Sequence, residues 1–271
     1  MTDTTDTKPA SESGAEVYAV KFGAMEGGNQ GRFFQHPPAE FLEQPGHLDF
    51  MVWVIRTGSE DIVVDAGLTY EVAEKRNRPI FQLPSEAVRS IGVDPTQVTN
   101  LILSHLHYDH AGDLDPFTTA RVVVQESEMR FWTGPYARRG EFGRLVELHD
   151  LQRLIALNLE GRLLQVSGDR EVAPGVTVHL VGGHTAGMQI VSVATARGTV
   201  VLASDASHLQ AHIEQDQPAD VATDVPRMYA AFDRISALAS SPELIIPGHD
   251  PKVFERFPAV PGLEGRAVRI A

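Results

Sequence analysis

Residues Leu101 to Gly112 read Leu-Ile-Leu-Ser-His-Leu-His-Tyr-Asp-His-Ala-Gly, and they are the most informative segment of the chain. Three of the 11 histidines of the chain lie in the six residues from His105 to His110. The apolar start predicts a short buried strand, and the histidines follow at its end, where loop side chains converge with little strain. Imidazoles grouped around a carboxylate are typical of a metal centre.

The spacing inside this segment divides the ligands between two metals. His105 and His107 are two residues apart, so they point the same way in an extended stretch. Asp109 and His110 are adjacent and come after the chain turns, so they are expected to face a second centre. Each metal needs about four ligands, with one position open for water, and the segment alone is too short to supply both sets.

Three later residues have the setting needed to complete the two sites. His184 follows a predicted strand at 176–181, Asp205 closes one near 200–204, and His249 follows one at 243–247. A carboxylate can join two metals, so Asp205 is expected to bridge. Taken singly, such histidines are ordinary surface or core residues and such an aspartate is a turn residue; the cluster at 105–110 is what favours the metal interpretation.

Composition narrows the class of protein. The 271 residues are 42% hydrophobic and 22% charged, which is typical of a globular chain with a sizeable core. The net charge of −13 disfavours a surface that binds nucleic acid and favours an enzyme acting on small molecules. The absence of cysteine leaves imidazole and carboxylate as metal ligands, which suit zinc, with iron, cobalt and manganese as alternatives.

The ends of the chain give further expectations. Residues 1–15 are polar and predict a disordered tail, followed by a single domain at 16–271. No secretory signal is visible and no apolar run approaches the roughly 20 residues of a membrane helix, so a cytoplasmic location without membrane contact is predicted. Assembly as a homodimer is left open.

Strand patterns dominate the rest of the chain, with helices between them. Residues 23–47 are expected to be irregular, and residues 133–170 a Gly- and Arg-rich connection with some helix. Two strand-rich halves flanked by helices predict α/β/β/α layers. The predicted strands are 16–22, 49–56, 61–65, 100–104, 120–125, 176–181, 190–195, 199–204 and 243–247, and the predicted helices are 83–92, 126–132 and 225–239.

The motifs HxHxDH, a later Gly-His, a strand-end Asp and a final Gly-His together resemble the metallo-β-lactamase superfamily, over roughly residues 16–257. This resemblance implies an αββα sandwich with a metal site at one edge of the sheets. It assigns His105, His107 and His184 to one metal, Asp109, His110 and His249 to the other, and Asp205 to both. Asp65-Ala66-Gly67 matches a family motif whose Asp orients the ligand loop; the alternative is a simple turn.

Two metals about 3.5–4 Å apart share a hydroxide that is nucleophilic at neutral pH. The expected reaction is attack of that bridging hydroxide on a carbonyl, with Asp109 carrying the proton to the leaving group. Within the superfamily the chain is most similar to N-acyl homoserine lactonases. It shares with them the motif at Leu103–Gly112, the pair Asp205-Ala206 and the triplet Gly248-His249-Asp250. The resemblance implies opening of a lactone ring, as in N-acyl homoserine lactones.

His208 marks a departure from that family, whose members usually carry a tyrosine three residues after the bridging Asp, with its hydroxyl on the substrate carbonyl. A histidine N–H can donate the same hydrogen bond, so His208 is a candidate catalytic residue; the alternative is a surface loop histidine. Candidates for an apolar pocket wall, or else for plain core, are Met25, Phe33, Phe34, Met51 and Trp53. The segment 132–142 is a candidate lid or a solvated connection.

Other functions remain open from the sequence. The site would also open other lactones or cleave a small ester or amide. A sulfur dioxygenase is a second class, with a single iron on His105, His107 and His184 or on a subset of them with Asp205; the presence of Asp109 and His249 disfavours it. A binding protein without catalysis is a third, which the full ligand set disfavours.

Overall fold

Two β-sheets face each other in this protein, and helices cover their outer faces. The computed structural model describes residues 14–271; residues 1–13, most of the predicted tail, lie outside the described residues. At the start of the described chain, the Ala15 amide donates a hydrogen bond to the Ala194 carbonyl over 3.3 Å.

The first sheet has seven strands in the order β12-β1-β2-β3-β4-β5-β6, and the second has five in the order β11-β10-β9-β8-β7. Strands β3 to β6 are parallel to one another, as are β10 and β11, and the other pairings are antiparallel. The strands are β1 Glu16–Asn29, β2 Pro45–Arg56, β3 Asp61–Val64, β4 Asn100–Ile102, β5 Arg121–Gln125, β6 Leu163–Val166, β7 Arg170–Ala173, β8 Val176–Leu180, β9 Gln189–Thr195, β10 Gly198–Ser204, β11 Ile245–Pro247 and β12 Ala267–Arg269.

Within residues 14–271, eight α-helices connect the strands. They are α1 Ala39–Leu42, α2 Tyr70–Arg76, α3 Pro84–Ser90, α4 Glu126–Trp132, α5 Leu148–Leu159, α6 Gln210–Glu214, α7 Val225–Leu238 and α8 Val253–Arg256. Short 3-10 turns occur at Gln30–Phe33, Pro95–Gln97, Phe142–Arg144 and Pro242–Leu244. None of the helices in the described part of the chain is long and apolar enough to cross a membrane.

Alternation along the strands builds the layers. In β2, Trp53 and Ile55 point into the core between the sheets, whereas Val52 and Val54 point outward under the helices α2 to α5. On the far side, Ala231 and Ile235 of α7 pack on the outer face of β9 and β10. The predicted αββα sandwich is therefore confirmed.

The sequence misjudged the segment 23–47, which is more regular than expected. Strand β1 continues to Asn29 through two register shifts, one between Lys21 and Gly23 and the other between Glu26 and Asn29, and β2 starts at Pro45. These irregularities break the polar–apolar alternation on which the strand prediction relied. Strands β6, β7 and β12 were missed, because short strands at or near sheet ends carry little pattern.

Parallel pairing sets the position of the site. The ends of β3 and β4 lie together, as do the ends of β10 and β11, since each of these pairs is parallel. The two sheets are joined at this edge by the Gln189 side chain, which donates to the Leu103 carbonyl over 2.7 Å. Polar residues that follow these strands therefore meet at one edge of the sandwich.

Candidate metal centre

The seven predicted ligands converge at this edge in two groups. His105, His107, His184 and Asp205 form the first cluster, and Asp109, His110 and His249 form the second. In each cluster the potential ligand atoms all lie within 4.8 Å of one another. The structure thus brings together every residue that the sequence proposed as a ligand, from both sheets.

The first cluster has the dimensions of a metal shell. His184 Nε2 lies 2.9 Å from His107 Nδ1 and 3.3 Å from Asp205 Oδ2. His105 Nε2 lies 3.8 Å from the same oxygen. Ligands held about 2.0–2.1 Å from a tetrahedral zinc ion are about 3.3 Å apart, so these separations fit a four-ligand site.

Asp205 also faces the second cluster, through its other oxygen. Asp205 Oδ1 lies 3.0 Å from His249 Nε2 and 3.4 Å from His110 Nε2. Asp205 is therefore the one carboxylate among the described residues that reaches both clusters, which is the geometry that a bridging ligand requires.

Backbone constraints hold Asp205 in place. Ser204 before it has a φ of 44°, in the left-handed region that costs a non-glycine residue about 1–3 kcal/mol. Gly248 packs against the carboxylate so closely that a Cβ there would lie 2.6 Å from Asp205 Oδ1. Only glycine at position 248 leaves this carboxylate its room.

Outer hydrogen bonds orient most of the imidazoles. The Nδ1 atoms of His105, His184 and His249 pair with Ser104 Oγ, the Val221 carbonyl and the Asp49 carbonyl, at 3.0, 2.8 and 2.8 Å. Each bond leaves Nε2 aimed at the cluster, as is usual for metal-binding histidines.

Asp65 is the buried support of the histidine segment. Its carboxylate accepts hydrogen bonds from the Ser104 amide at 2.7 Å and the Ser104 hydroxyl at 2.8 Å, and lies 2.7 Å from His110 Nδ1. It also accepts a hydrogen bond from the Ser204 hydroxyl at 3.2 Å, so one carboxylate ties the ends of β4 and β10 together. Asp65 is fully buried, with a φ of 66°. These contacts favour the orienting role over a simple turn.

The electrostatics of the first cluster favour neutral imidazoles. Burial lowers the pKa of His105 and His107 well below the ordinary histidine value, and neighbouring imidazoles lower it further. Burial also lowers the pKa of His184 to about 3. Neutral imidazole is the metal-binding form, and the buried His105 Nε2 has no hydrogen-bond partner among the described residues.

The second cluster instead favours positive charge. Burial alone would lower the pKa of His110, yet the carboxylates of Asp205, Asp65 and Asp109 raise it well above the ordinary value. Burial opposes ionisation of Asp205 as well, but His249 and His110 hold its pKa well below the usual range. A buried site that stabilises positive charge beside an ionised carboxylate fits a divalent metal ion. The imidazole and carboxylate groups of both clusters are also ligands that such an ion binds.

The buried Glu128 of α4 clamps two ligand loops, and the sequence did not reveal it. Its Oε1 accepts hydrogen bonds from the Leu106 amide at 3.0 Å and the Trp132 indole at 2.7 Å. Its Oε2 accepts from the Thr185 hydroxyl at 2.8 Å and the Gly187 amide at 2.7 Å. Burial raises the pKa of this carboxyl group, and the four donors counteract that effect.

His208 stands beside the first cluster and on the cavity above it. Its Nε2 lies 2.9 Å from Asp205 Oδ2, while Nδ1 is buried without a partner among the described residues. His212, in the next turn, is fully buried, and its ring packs edge-on against Phe34 with centroids 4.4 Å apart. Burial holds the pKa of His212 well below the ordinary value, so this imidazole is a neutral packing surface behind His208.

A cavity of about 390 Å³ opens above the two clusters. Of the predicted apolar wall, Met25 and Phe33 line this cavity, and Phe34 packs beneath it on Phe41. Met51 and Trp53 lie between the two sheets, so the wall interpretation was wrong for them and the core interpretation holds.

The segment 132–142 divides into two parts. Trp132 is buried at the end of α4, with its ring 5.6 Å from that of His107. Residues 139–142 instead line an adjoining cavity together with His184 and Asp220. The segment thus flanks the centre, and its first residue supports a candidate ligand.

An αββα sandwich with paired His/Asp clusters at one edge defines a class of metal-dependent enzymes. The sequence profile of the metallo-beta-lactamase superfamily matches residues 51–249, and this chain belongs to that superfamily. An N-acyl homoserine lactonase of a Bacillus species is 29% identical over 232 residues, which cover 78% of this chain and 82% of the relative. Another, from Bacillus cereus, is 28% identical over the same length.

Solved structures show the same fold. An N-acyl homoserine lactone hydrolase with N-hexanoyl-L-homoserine bound at its catalytic metal centre superposes with a TM-score of 0.73 at 21% identity, covering 92% of this chain and 98% of that one. A dizinc quorum-quenching lactonase superposes with a TM-score of 0.69 at 18% identity, covering 89% of each chain.

Proposed function

We propose that this protein is a dinuclear metallohydrolase that opens a lactone ring of the N-acyl homoserine lactone type. The observation that carries the proposal is the pair of clusters that share Asp205 beneath one cavity. The sequence relatives add the ring chemistry, since those at 28–29% identity are named N-acyl homoserine lactonases.

His105, His107 and His184 would hold the first metal, Asp109, His110 and His249 the second, and Asp205 both. Two divalent ions there would lower the pKa of a shared water towards 7 and polarise the lactone carbonyl. Zinc is the proposed ion, with iron, cobalt or manganese also suited to an all-imidazole and carboxylate set.

Asp109 is the proposed proton carrier. Its side chain lines the cavity and is 14% exposed, compared with 5% for Asp205 and 1% for His110. A carboxylate in that position takes a proton from the attacking water and delivers it to the alkoxide that leaves when the ring opens.

His208 is the proposed donor to the substrate carbonyl. It lines the cavity next to Asp205, with Nε2 directed to the edge of the first cluster. An N–H at this place stabilises the negative charge that develops on the carbonyl oxygen. His208 would then take the role that the resemblance implies for a tyrosine at this position.

The test combines metal analysis of the purified protein with proton release in a pH-stat. About two metal ions per chain and acid release from N-hexanoyl homoserine lactone, lost on chelation and restored by zinc, are expected. Release only from simple esters or amides would move the substrate outside lactones. About one iron per chain with oxygen consumption on a persulfide would replace hydrolysis by sulfur dioxygenation.

A further inference from the structure

Arginine is concentrated around the catalytic cavity of this acidic chain. The cavity is lined by Arg32, Arg76, Arg78 and Arg144, although the whole chain carries a net charge of −13. Among the described lining residues, the one carboxylate outside the proposed metal ligands is Asp220. The charge of this wall is therefore opposite to that of the protein as a whole.

Two of these arginines already have a carboxylate partner, although Glu147, the partner of Arg76, also binds Lys75. Arg76 Nε donates to Glu147 Oε1 over 2.7 Å, and the Arg76 guanidinium lies over the ring of Tyr108 at 3.9 Å. Arg144 is paired with Glu141 on the surface. These residues need no substrate to balance their charge.

Arg78 and Arg32 differ, because no carboxylate among residues 14–271 pairs with either. Arg78 donates to the Tyr108 hydroxyl and to the backbone carbonyls of Arg76 and Asn77. The Arg32 side chain donates to the Gly27 carbonyl. All these acceptors are uncharged, so neither guanidinium has a carboxylate partner; Arg78 is partly buried and Arg32 is exposed at the cavity.

The backbone holds Arg78 in a fixed place. Asn77 ends α2 in the left-handed region with a φ of 51°, and the Arg78 amide then donates to the Ala73 carbonyl over 2.9 Å. Arg78 Nε reaches the hydroxyl of Tyr108 over 3.0 Å. Tyr108 lies between His107 and Asp109 in the sequence, and Arg78 lines the same cavity as these two candidate ligands.

Arg32 is positioned from the other side. Its amide donates to Asn29 Oδ1 over 3.2 Å, and its Nη1 donates to the Gly27 carbonyl over 3.1 Å. The side chain folds over Gly28, where a Cβ would come within 3.2 Å of Nη1. The absence of a side chain at Gly28 therefore leaves space for the Arg32 side chain to reach the cavity.

The two arginines also border a second space. Arg32, Arg78 and Met25 line both the catalytic cavity and a neighbouring groove of about 540 Å³. A substituent that extends from a ring held over the metal clusters towards this groove therefore passes both cations.

We propose that the substrate carries a carboxylate on the substituent attached to the scissile ring, and that Arg78 and Arg32 bind it. This inference rests on the proposed function, and it names the charge class of the substrate. Two unpaired guanidinium groups beside a catalytic centre favour a planar anion, which each can bind through two parallel N–H donors. A purely aliphatic acyl chain would leave both charges unused.

The experiment compares lactones that differ by one carboxylate. N-adipoyl and N-hexanoyl homoserine lactone share the ring and the chain length, as do the N-succinyl and N-butanoyl pair. The wild-type enzyme is expected to have at least about a tenfold higher kcat/KM for the anionic member of a pair, carried mostly by KM, since hydrogen bonds between charged groups are stronger than those between neutral groups.

Arg78→Gln and Arg32→Gln are each expected to lower the ratio of anionic to neutral kcat/KM about tenfold, and Arg78→Lys less. Arg170→Gln, which removes the same charge from an exposed residue of β7, is the matched control and leaves the ratio unchanged. Equal kcat/KM for both members of each pair, or a ratio insensitive to both glutamine variants, overturns the inference.

A binding measurement separates this inference from the proposed function. Propane-1-sulfonate, an anion that binds metals weakly, is titrated into the metal-loaded protein and followed by ligand-observed NMR. If no lactone is hydrolysed but sulfonate binding is weakened by Arg78→Gln and not by Arg170→Gln, the anion site stands and the lactonase proposal fails. If lactones are hydrolysed without charge preference and sulfonate does not bind, the lactonase proposal stands and the anion site is overturned.

Discussion

The floor and the wall of the cavity differ in the structural elements that supply their residues and in the charges that these residues face. The floor consists of the seven residues of the two clusters, which follow strand ends, and six of them are buried. The wall consists of Met25, Arg32, Phe33 and Arg78, which come from the irregular end of β1, a 3-10 turn and the residue after α2. The Asp205 carboxylate of the floor faces imidazoles of both clusters, whereas the wall cations face solvent and uncharged oxygens. In the proposed function, the floor sets the type of reaction and the wall the choice of substrate, so separate parts of the chain encode them.

Asp109→Asn changes the most exposed residue of the floor and is expected to have the largest effect on kcat. Loss of the proton carrier should lower kcat on a lactone about 10²–10⁴-fold. Asp220→Asn, a carboxylate on the same cavity that belongs to neither cluster, serves as the control. An Asp109→Asn enzyme that retains both metals and full turnover would rule out the proposed role.

His208→Ala tests the proposed hydrogen-bond donor, which lies where the floor meets the wall. Removal of a donor to the developing oxyanion is expected to reduce kcat about a hundredfold, with little change in metal content. His208→Tyr, which restores the residue usual in the related lactonases, should recover most of that loss. Equal kcat for wild type and His208→Ala would return this residue to a structural role.

Glu128→Gln tests how far the floor depends on its support. The amide keeps one acceptor oxygen and places N–H groups opposite the donors of Thr185 and Gly187 or of Leu106 and Trp132. We expect a 10–100-fold weaker affinity for metal, measured by competition with a chelator, and a lower Tm. Glu126→Gln, at the start of the same helix and exposed, is the matched control. Unchanged metal affinity would show that the loops hold their geometry without this clamp.

Asp150→Asn is expected to have the smallest effect on activity and tests a buried carboxylate that does not line the cavity. Burial raises the pKa of Asp150 from 3.8 to about 7, and its Oδ2 has no partner among the described residues. The folded state therefore binds this proton more tightly, and the carboxylate costs stability as pH rises from about 4 to 7. The variant should gain about 2–3 kcal/mol over wild type in the free energy of unfolding between pH 5 and pH 8.

Chemical denaturation at the two pH values measures this gain, and kcat should not change. Asp233→Asn, on the exposed face of α7, provides the control. A difference between Asp150→Asn and wild type that is the same at both pH values would contradict the raised pKa.

The floor was readable from the sequence because each ligand follows a strand with a clear apolar run. The segment at 105–110 carries four ligands in six residues, and Gly183-His184 and Gly248-His249 repeat the pattern of a strand, a glycine and a histidine. The layers were predicted from two strand-rich halves flanked by helices.

The sequence carries no comparable pattern for Glu128, which supports the ligand loops, or for the arginines of the wall. Glu128 lies in a helix whose other acidic residue, Glu126, is exposed, and its partners Thr185 and Gly187 are 57 and 59 residues away. Arg78 and Arg32 follow turns in segments without periodicity. Their proximity depends on how β1 bends and where α2 ends, and local patterns encode neither.

The origin of the ligands in both sheets has a consequence for the order of folding. The first sheet supplies His105, His107, Asp109 and His110, whereas the second supplies His184, Asp205 and His249; the bond from His249 Nδ1 to the Asp49 carbonyl spans 200 residues. Neither half of the chain can complete a coordination shell alone. A refolding chain should therefore bind metal tightly only after the two sheets have docked. The time course of metal uptake during refolding would then report when docking occurs.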